Sequence, residues 1–221
     1  MRDQPVTGQP GAGPAAEAAA ARDLADLADR VRGCVACADL AARRIQVVPG
    51  QCPPGAELLL LGEAPGASED AAGLPFVGRS GALLDAVLAE AGLARAEVAV
   101  LNVLKCRPPD NRAPTREEAA TCRPWLDRQL ALADPLLVVT LGLTAAVWAL
   151  GRGISLTGVR GRLHPFAGRH LLATYHPSAA LRFGPKGKPR AALVEDLVLA
   201  RAVLPELRGR RGARGEDGRL W

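Results

Sequence analysis

Leu58-Leu59-Leu60-Leu61-Gly62-Glu63-Ala64-Pro65-Gly66 is the stretch that decides the fold. Its leucine run is too short for a one-faced helix and shows no alternation, so it reads as a strand covered on both sides. Gly62, Pro65 and Gly66 stop it in a sharp turn that lets a ligand approach the backbone closely. The same apolar signature recurs over residues 98–103 and 136–141, and again in Leu171-Leu172-Ala173-Thr174 just before His176. Helical patterns lie between these runs. Ser80 is placed to cap a helix with Leu83, Leu84, Val87 and Leu88 on one face, stopped by Gly92. Thr115-Arg116-Glu117-Glu118 is a capping box for a helix carrying Cys122 and Trp125. Residues 144–150 and 191–204 supply two more, the last closed by Pro205. Strands alternating with helices predict a three-layer α/β/α fold around a central four-stranded parallel sheet. In such sheets ligands bind beyond the carboxyl ends of the strands. Glu63, Asn102 and His176 each follow or end a strand there, bringing a carboxylate, an amide and an imidazole to one edge.

The chain has 221 residues, 48% hydrophobic, which suits one domain with a sizeable core. Residues 1–20 and 206–221 lack a helical period and are expected to be disordered tails flanking a domain at 21–205. There is no apolar run of membrane-spanning length and no apolar segment of a secretory leader, so a cytoplasmic protein is expected. The net charge is +5, which suits an anionic partner without naming one. Arg107, Arg112, Arg116 and Arg123 form a candidate phosphate-facing patch, with an ordinary solvated surface as the competing reading.

The cysteines divide into a tight pair, Cys34-x2-Cys37, and a looser pair, Cys106-x15-Cys122, with Cys52 outside the pattern. A long chain with so few cysteines and no leader is expected to keep them reduced. Thiolates at these positions suit Zn²⁺ or an iron–sulfur cluster, and spacing alone leaves both open. The other motifs are weak singly. Phe76, in Gly73-Leu74-Pro75-Phe76-Val77-Gly78, is either a flat face for a planar ligand or a core filler. His176 by itself reads more readily as a hydrogen-bonded structural residue than as a catalyst. His164, His170, Trp125 and Trp148 call for no function.

In order along the chain, however, Gly62-Glu63-Ala64-Pro65-Gly66 with Glu69-Asp70, Pro75-Phe76-Val77-Gly78, Asn102-Val103-Leu104-Lys105-Cys106-Arg107-Pro108-Pro109, Asn111-Arg112 and Tyr175-His176-Pro177-Ser178, together with the cysteine placement, resemble the family 4 uracil-DNA glycosylases, the iron–sulfur branch of that superfamily. The resemblance implies a [4Fe-4S] cluster on Cys34, Cys37, Cys106 and Cys122, structural in role. It implies a monomeric enzyme that excises uracil from single- or double-stranded DNA by hydrolysis, leaving an abasic site. Phe76 would stack on the flipped base, Asn102 would read its N3–H and O4, and Glu69 would exclude the thymine methyl. His176 would donate to uracil O2, and Glu63 would handle the attacking water. The position of the water-activating Asp in the best-known branch is Ala64 here, so backbone groups around Ala64 share the water. Lys105 and Arg107 flank a cysteine of this set and are candidate phosphate contacts, with plain charge balance as the competing reading. Two departures stand out. The family's Leu-Leu-Arg is Ala180-Leu181-Arg182, which leaves Leu181 as the candidate base-displacing wedge. Uracil-trapping relatives carry a histidine in the loop corresponding to residues 107–112, and this chain has none. The competing reading is a metal-stapled module that binds uracil or damaged DNA without cleavage. The tails are candidate contacts for a repair partner or sliding clamp.

Overall fold

Each apolar run expected to form a strand does so in the computed structural model, which describes residues 13–216. The strands are β1 (Leu58–Gly62), β2 (Ala99–Asn102), β3 (Leu137–Leu141), β4 (Leu163–Phe166) and β5 (Arg169–Thr174), in the order β2-β1-β3-β5-β4. The expected four-stranded parallel sheet is β2-β1-β3-β5, and β4 extends it to five by pairing antiparallel with β5 at the edge. That hairpin carries Pro165 and half-buried residues, which suits an edge strand.

The helices are α1 (Pro14–Ala20), α2 (Leu24–Arg32), α3 (Ala38–Arg43), α4 (Ala67–Ala72), α5 (Arg79–Glu90), α6 (Arg116–Ala133), α7 (Leu143–Leu150), α8 (Leu156–Val159), α9 (Pro177–Phe183) and α10 (Lys188–Glu216). Successive strand residues point to opposite faces. Leu58 and Leu60 of β1 therefore join Val100, Val139 and Leu172 against Leu84 and Leu88 of α5 and Leu193 and Leu197 of α10. Leu59 and Leu61 join Leu101 and Val138 against Leu126 and Leu130 of α6 and Ala145 of α7. This double burial explains the unbroken leucine run.

Both chain ends contain more structure than their composition suggests. Helix α1 packs on α6, with Ala18 and Ala21 only 2% and 1% exposed and Glu17 paired with Arg30 at 2.7 Å. Residues 14–20 are thus part of the domain, and residues 1–12 lie outside the described part. Helix α10 does not stop at Pro205. The proline removes one backbone donor, but Leu207 beyond it is buried in the main core, and Arg208 forks onto Glu57 at 2.7 and 2.6 Å. The expected disorder over 206–221 is replaced by helix through Glu216, and residues 217–221 lie outside the described part. Thr115 caps α6 through a reciprocal box with Glu118, as expected. The N-cap of α5 is Gly78 rather than Ser80, because the Glu69 carboxylate takes the Gly78 N–H and Ser80 falls inside the helix.

Candidate active site

Parallel pairing places Gly62 opposite Asn102, and Leu141 opposite Thr174, so the carboxyl ends of β1, β2, β3 and β5 lie along one edge. Chain connections leave β1 and β3 in opposite directions there, which opens a crevice. A cleft of about 670 Å³ occupies it. Glu63, Ala64, Glu69, Phe76, Asn102 and His176, every residue expected at the base site, line this cleft together.

The aromatic wall is held from beneath by Glu69. One carboxylate oxygen accepts from Val77 N and Gly78 N at 3.0 and 2.9 Å, and the other accepts from Gly66 N at 3.0 Å. These bonds fold the 66–78 loop so that Phe76 sits at φ 54°, a conformation non-glycine residues seldom adopt, with the residue 7% exposed. Space for this is made by two glycines. A Cβ at Gly62 would lie 2.3 Å from Asn102 Oδ1 and 2.8 Å from the Phe76 ring, and one at Gly81 would lie 1.8 Å from the Phe76 carbonyl oxygen. Glu69 thus borders the cleft as expected, and it also clamps the loop that presents Phe76.

His176 is the N-cap of α9. The Ser178 N–H donates to its Nδ1 at 3.1 Å, and Ser178 Oγ lies 2.8 Å from the same nitrogen. A backbone N–H can only donate, so Nδ1 is unprotonated and the ring proton sits on Nε2. Burial pushes the imidazole down to about 4, partly opposed by the Glu69 carboxylate, so the ring is neutral at pH 7. Its centroid lies 5.7 Å from that of Phe76, tilted by 38°. Gly142, at φ 89°, gives it room, since a Cβ there would lie 3.0 Å from His176 Cβ.

Asn102 is 3% exposed, and its Oδ1 is buried with no hydrogen-bond donor among the described residues. Such an acceptor costs free energy until a ligand N–H reaches it, and rotation about χ2 exchanges the amide oxygen and nitrogen. The backbone of Asn102 is pinned from behind by Lys105, whose Nζ donates to Asn102 O at 2.8 Å. Lys105 is 1% exposed, so it does not reach phosphate as its sequence position suggested. Desolvation lowers its ammonium to about 8. The Glu63 carboxylate makes no hydrogen bond among the described residues, while its carbonyl accepts from Leu104 N at 3.0 Å.

A second cavity lies behind β2. Cys34, Cys37, Cys106 and Cys122 line it together with Leu40, Arg44, Leu104 and Trp125. All five cysteines are free thiols, and Cys52 lies apart from this cavity, beside the α6 face of the sheet. Arg44 donates to Cys106 Sγ at 3.1 Å and to Cys34 O at 2.6 Å, while Trp125 Nε1 donates to Cys34 Sγ at 3.4 Å. Burial pushes the Cys122 thiol up to about 12 and raises Cys37 and Cys106 as well. Among the described residues no three His, Cys, Asp or Glu are grouped to hold a single metal ion. The four thiols nevertheless line one small apolar cavity with Arg44 and Trp125 donating to sulfur, the donor chemistry that a sulfur-bound metal group would meet. The cavity and the cleft are tied together through α4. Asp70, 1% exposed, accepts from Ile45 N at 3.0 Å and Gln46 N at 3.3 Å, immediately after Arg44, while its neighbour Glu69 holds the Phe76 loop.

The remaining expectations are distributed less tightly. Leu181 lies on α9 and is 37% exposed. The arginine patch is dispersed: Arg112 lines the cleft while forked on Glu118, and Arg123 pairs with Asp127 and lies over Trp148. Arg44, Trp125, Gly142 and Arg182 are site residues that sequence reasoning missed. Only the strand-glycine-helix junction at Leu141-Gly142-Leu143 carried a local signal.

Residues 49–198 match the profile of the Uracil DNA glycosylase superfamily. A type-4 uracil-DNA glycosylase of Thermotoga maritima is 39% identical over 80% of this chain and 93% of its own length. One from Pyrobaculum aerophilum is 41% identical over 72% of this chain and 85% of its own. A type-5 uracil-DNA glycosylase of Thermus thermophilus is 37% identical over 59% of this chain and 68% of its own. With its strand-end cleft and cysteine-lined cavity in place, the chain belongs to the uracil DNA glycosylase superfamily, within its type-4 branch.

Proposed function

We propose that this protein excises uracil from DNA by hydrolysing the N-glycosidic bond, leaving an abasic site for repair. The observation that carries the reading is the unpartnered Oδ1 of Asn102 in the same cleft as the Phe76 ring and a neutral His176. In a duplex the glycosidic bond is out of reach, so the nucleotide is first flipped into the cleft, most cheaply from a mismatch. Phe76 stacks on the pyrimidine. Asn102 accepts from N3–H and donates to O4, whereas cytosine reverses both polarities and leaves buried groups unpaired. Glu69, fixed by its bonds to the loop, occupies the space a thymine methyl would need. As the C1′–N1 bond breaks, its electron pair passes to uracil, and Nε2–H of His176 donates to the charge growing on O2, an interaction worth about 3 kcal/mol. Glu63, assisted by backbone groups near Ala64, orients water for attack at C1′ and accepts its proton. Leu181 fills the emptied position in the stack.

Cys34, Cys37, Cys106 and Cys122 would hold a [4Fe-4S] cluster, whose contribution is a structural cross-link between the N-terminal helices, the loop after β2 and α6. The sulfur-directed donors Arg44 and Trp125 support this assignment. No helix among the described residues is long and apolar enough to cross a membrane. We place the protein in the cytoplasm as a monomer acting on uracil-containing DNA, with a repair partner or sliding clamp as the candidate contact of its termini.

The test is incubation with a labelled oligonucleotide bearing one U·G pair, followed by alkali. A strand break at uracil is expected, and intact DNA despite tight binding would overturn the reading. Iron and sulfide in equal amounts with broad visible absorption are expected of the purified protein. Stoichiometric zinc in a colourless protein would overturn the cluster.

A further inference from the structure

Phe183 stands 66% exposed at the end of α9, whereas Phe76 is buried and Phe166 packs against the core. Helix α9 begins at the His176 cap, and Ser178 and Arg182, one turn apart, both line the cleft. Leu181 and Phe183 lie one residue to either side of Arg182, so they flank the cleft line in opposite directions. Beyond Phe183 the chain turns through Gly184, at φ 77°, into Gly184-Pro185-Lys186-Gly187-Lys188. A Cβ at Gly187 would lie 2.7 Å from the Phe183 carbonyl oxygen and 2.8 Å from its Cβ. The glycine lets this loop fold back under Phe183 and support it. Residues 177–194 contain Arg182, Lys186, Lys188 and Arg190 and no acidic residue. Arg190 pairs with Glu90, while Lys186 and Lys188 are exposed without an ion pair among the described residues. An exposed aromatic on a supported turn beside free lysines, continuous with the cleft, matches the way proteins hold single-stranded nucleic acid.

We propose that residues 183–188 form a second DNA contact, in which Phe183 stacks on an unpaired base of the uracil-bearing strand beside the emptied position and Lys186 and Lys188 neutralise the adjoining phosphates. This deepens the glycosylase reading and rests on it. Stacking is indifferent to base identity, so the contact adds affinity without sequence preference. It is separate from the wedge, because residues two apart on a helix do not share a face.

The test is fluorescence anisotropy with a short single-stranded oligonucleotide carrying a tetrahydrofuran abasic analogue. Phe183→Ala should weaken binding about tenfold, and Phe183→Trp should restore it. Thermal unfolding should be unchanged, and single-turnover excision at saturating DNA should stay within about twofold, so the loss appears in KM rather than kcat. Replacing Lys186 and Lys188 together by alanine should flatten the plot of log K against log salt by about 1.4. Binding by Phe183→Ala equal to that of the parent, a loss that Trp does not repair, or an unchanged salt slope would overturn the proposal. Uracil excision by the parent is measured alongside. Excision with binding independent of Phe183 sinks this contact alone, and Phe183-dependent binding without excision sinks the glycosylase reading alone.

Discussion

The cleft and the cysteine cavity lie on either side of the segment after β2, yet they are built on opposite terms. The cleft is open, and among the described residues its working atoms are left without protein partners: the Asn102 oxygen, the Glu63 carboxylate and the Nε2–H of His176. The cavity is apolar and ringed by sulfur, and its polar neighbours Arg44 and Trp125 are already committed to sulfur atoms. Unsatisfied groups cost stability and are kept where a substrate will satisfy them, whereas committed groups hold the framework. The two sites should therefore separate under mutation, one changing chemistry at constant stability and the other changing stability first.

The sharpest break is expected at Glu63. Glu63→Gln should slow single-turnover excision by roughly 10²- to 10⁴-fold while leaving the melting temperature and DNA affinity near parental values. Near-normal turnover would remove Glu63 from the chemistry. Cys122→Ser should do the reverse. Loss of a cross-linking ligand should lower the thermal midpoint by about 10 °C or more, equivalent to a few kcal/mol at this chain length, with the activity surviving in the folded fraction. Differential scanning calorimetry paired with activity per folded molecule distinguishes these outcomes.

A smaller effect probes the tie between the sites. Asp70→Asn leaves the side chain's shape but weakens its bonds to Ile45 N and Gln46 N, costing about 1 to 3 kcal/mol. If Asp70 transmits order from the cavity to the Phe76 loop, uracil affinity should fall about tenfold, measured by product inhibition. Unchanged inhibition would mean that the two sites are neighbours only. The mildest prediction concerns pH. The folded-state value for His176, about 4, lies below its ordinary 6.5, so the unfolded chain binds the extra proton first as pH falls. Its contribution to stability is complete above about 6.5 and is lost toward pH 4. Excision limited by His176 should hold level from neutral pH to near 5 and decline with a midpoint near 4. A midpoint near 6.5 would mean that the ring is solvated in the working enzyme.

The sheet was legible because burial on both faces writes short unbroken leucine- and valine-rich runs into the central strands, and the acid, amide and imidazole follow directly from where those runs end. Thr115 was legible because a capping box is local. The ends were not. Ala18 and Ala21 are buried by being small, which leaves no amphipathic trace, and α10 passes Pro205 because Leu207 and Arg208 find partners far away in sequence. Arg44 and Trp125 act on cysteines 62 and 91 residues away, respectively, so no spacing rule marks them. Of the two readings of Lys105, phosphate contact fails for the same reason. Its position beside a cysteine suggested a surface charge, while the fold turns it inward onto Asn102.

The missing methyl at Gly81 bears on engineering. A side chain there would collide with the carbonyl of Phe76 at 1.8 Å, and one at Gly62 with Asn102. Saturation libraries over the cleft will return almost only the parental codon at these two positions. Diversity intended to admit bulkier or differently substituted nucleobases is better invested in Ser80 and Leu143, which border the opening.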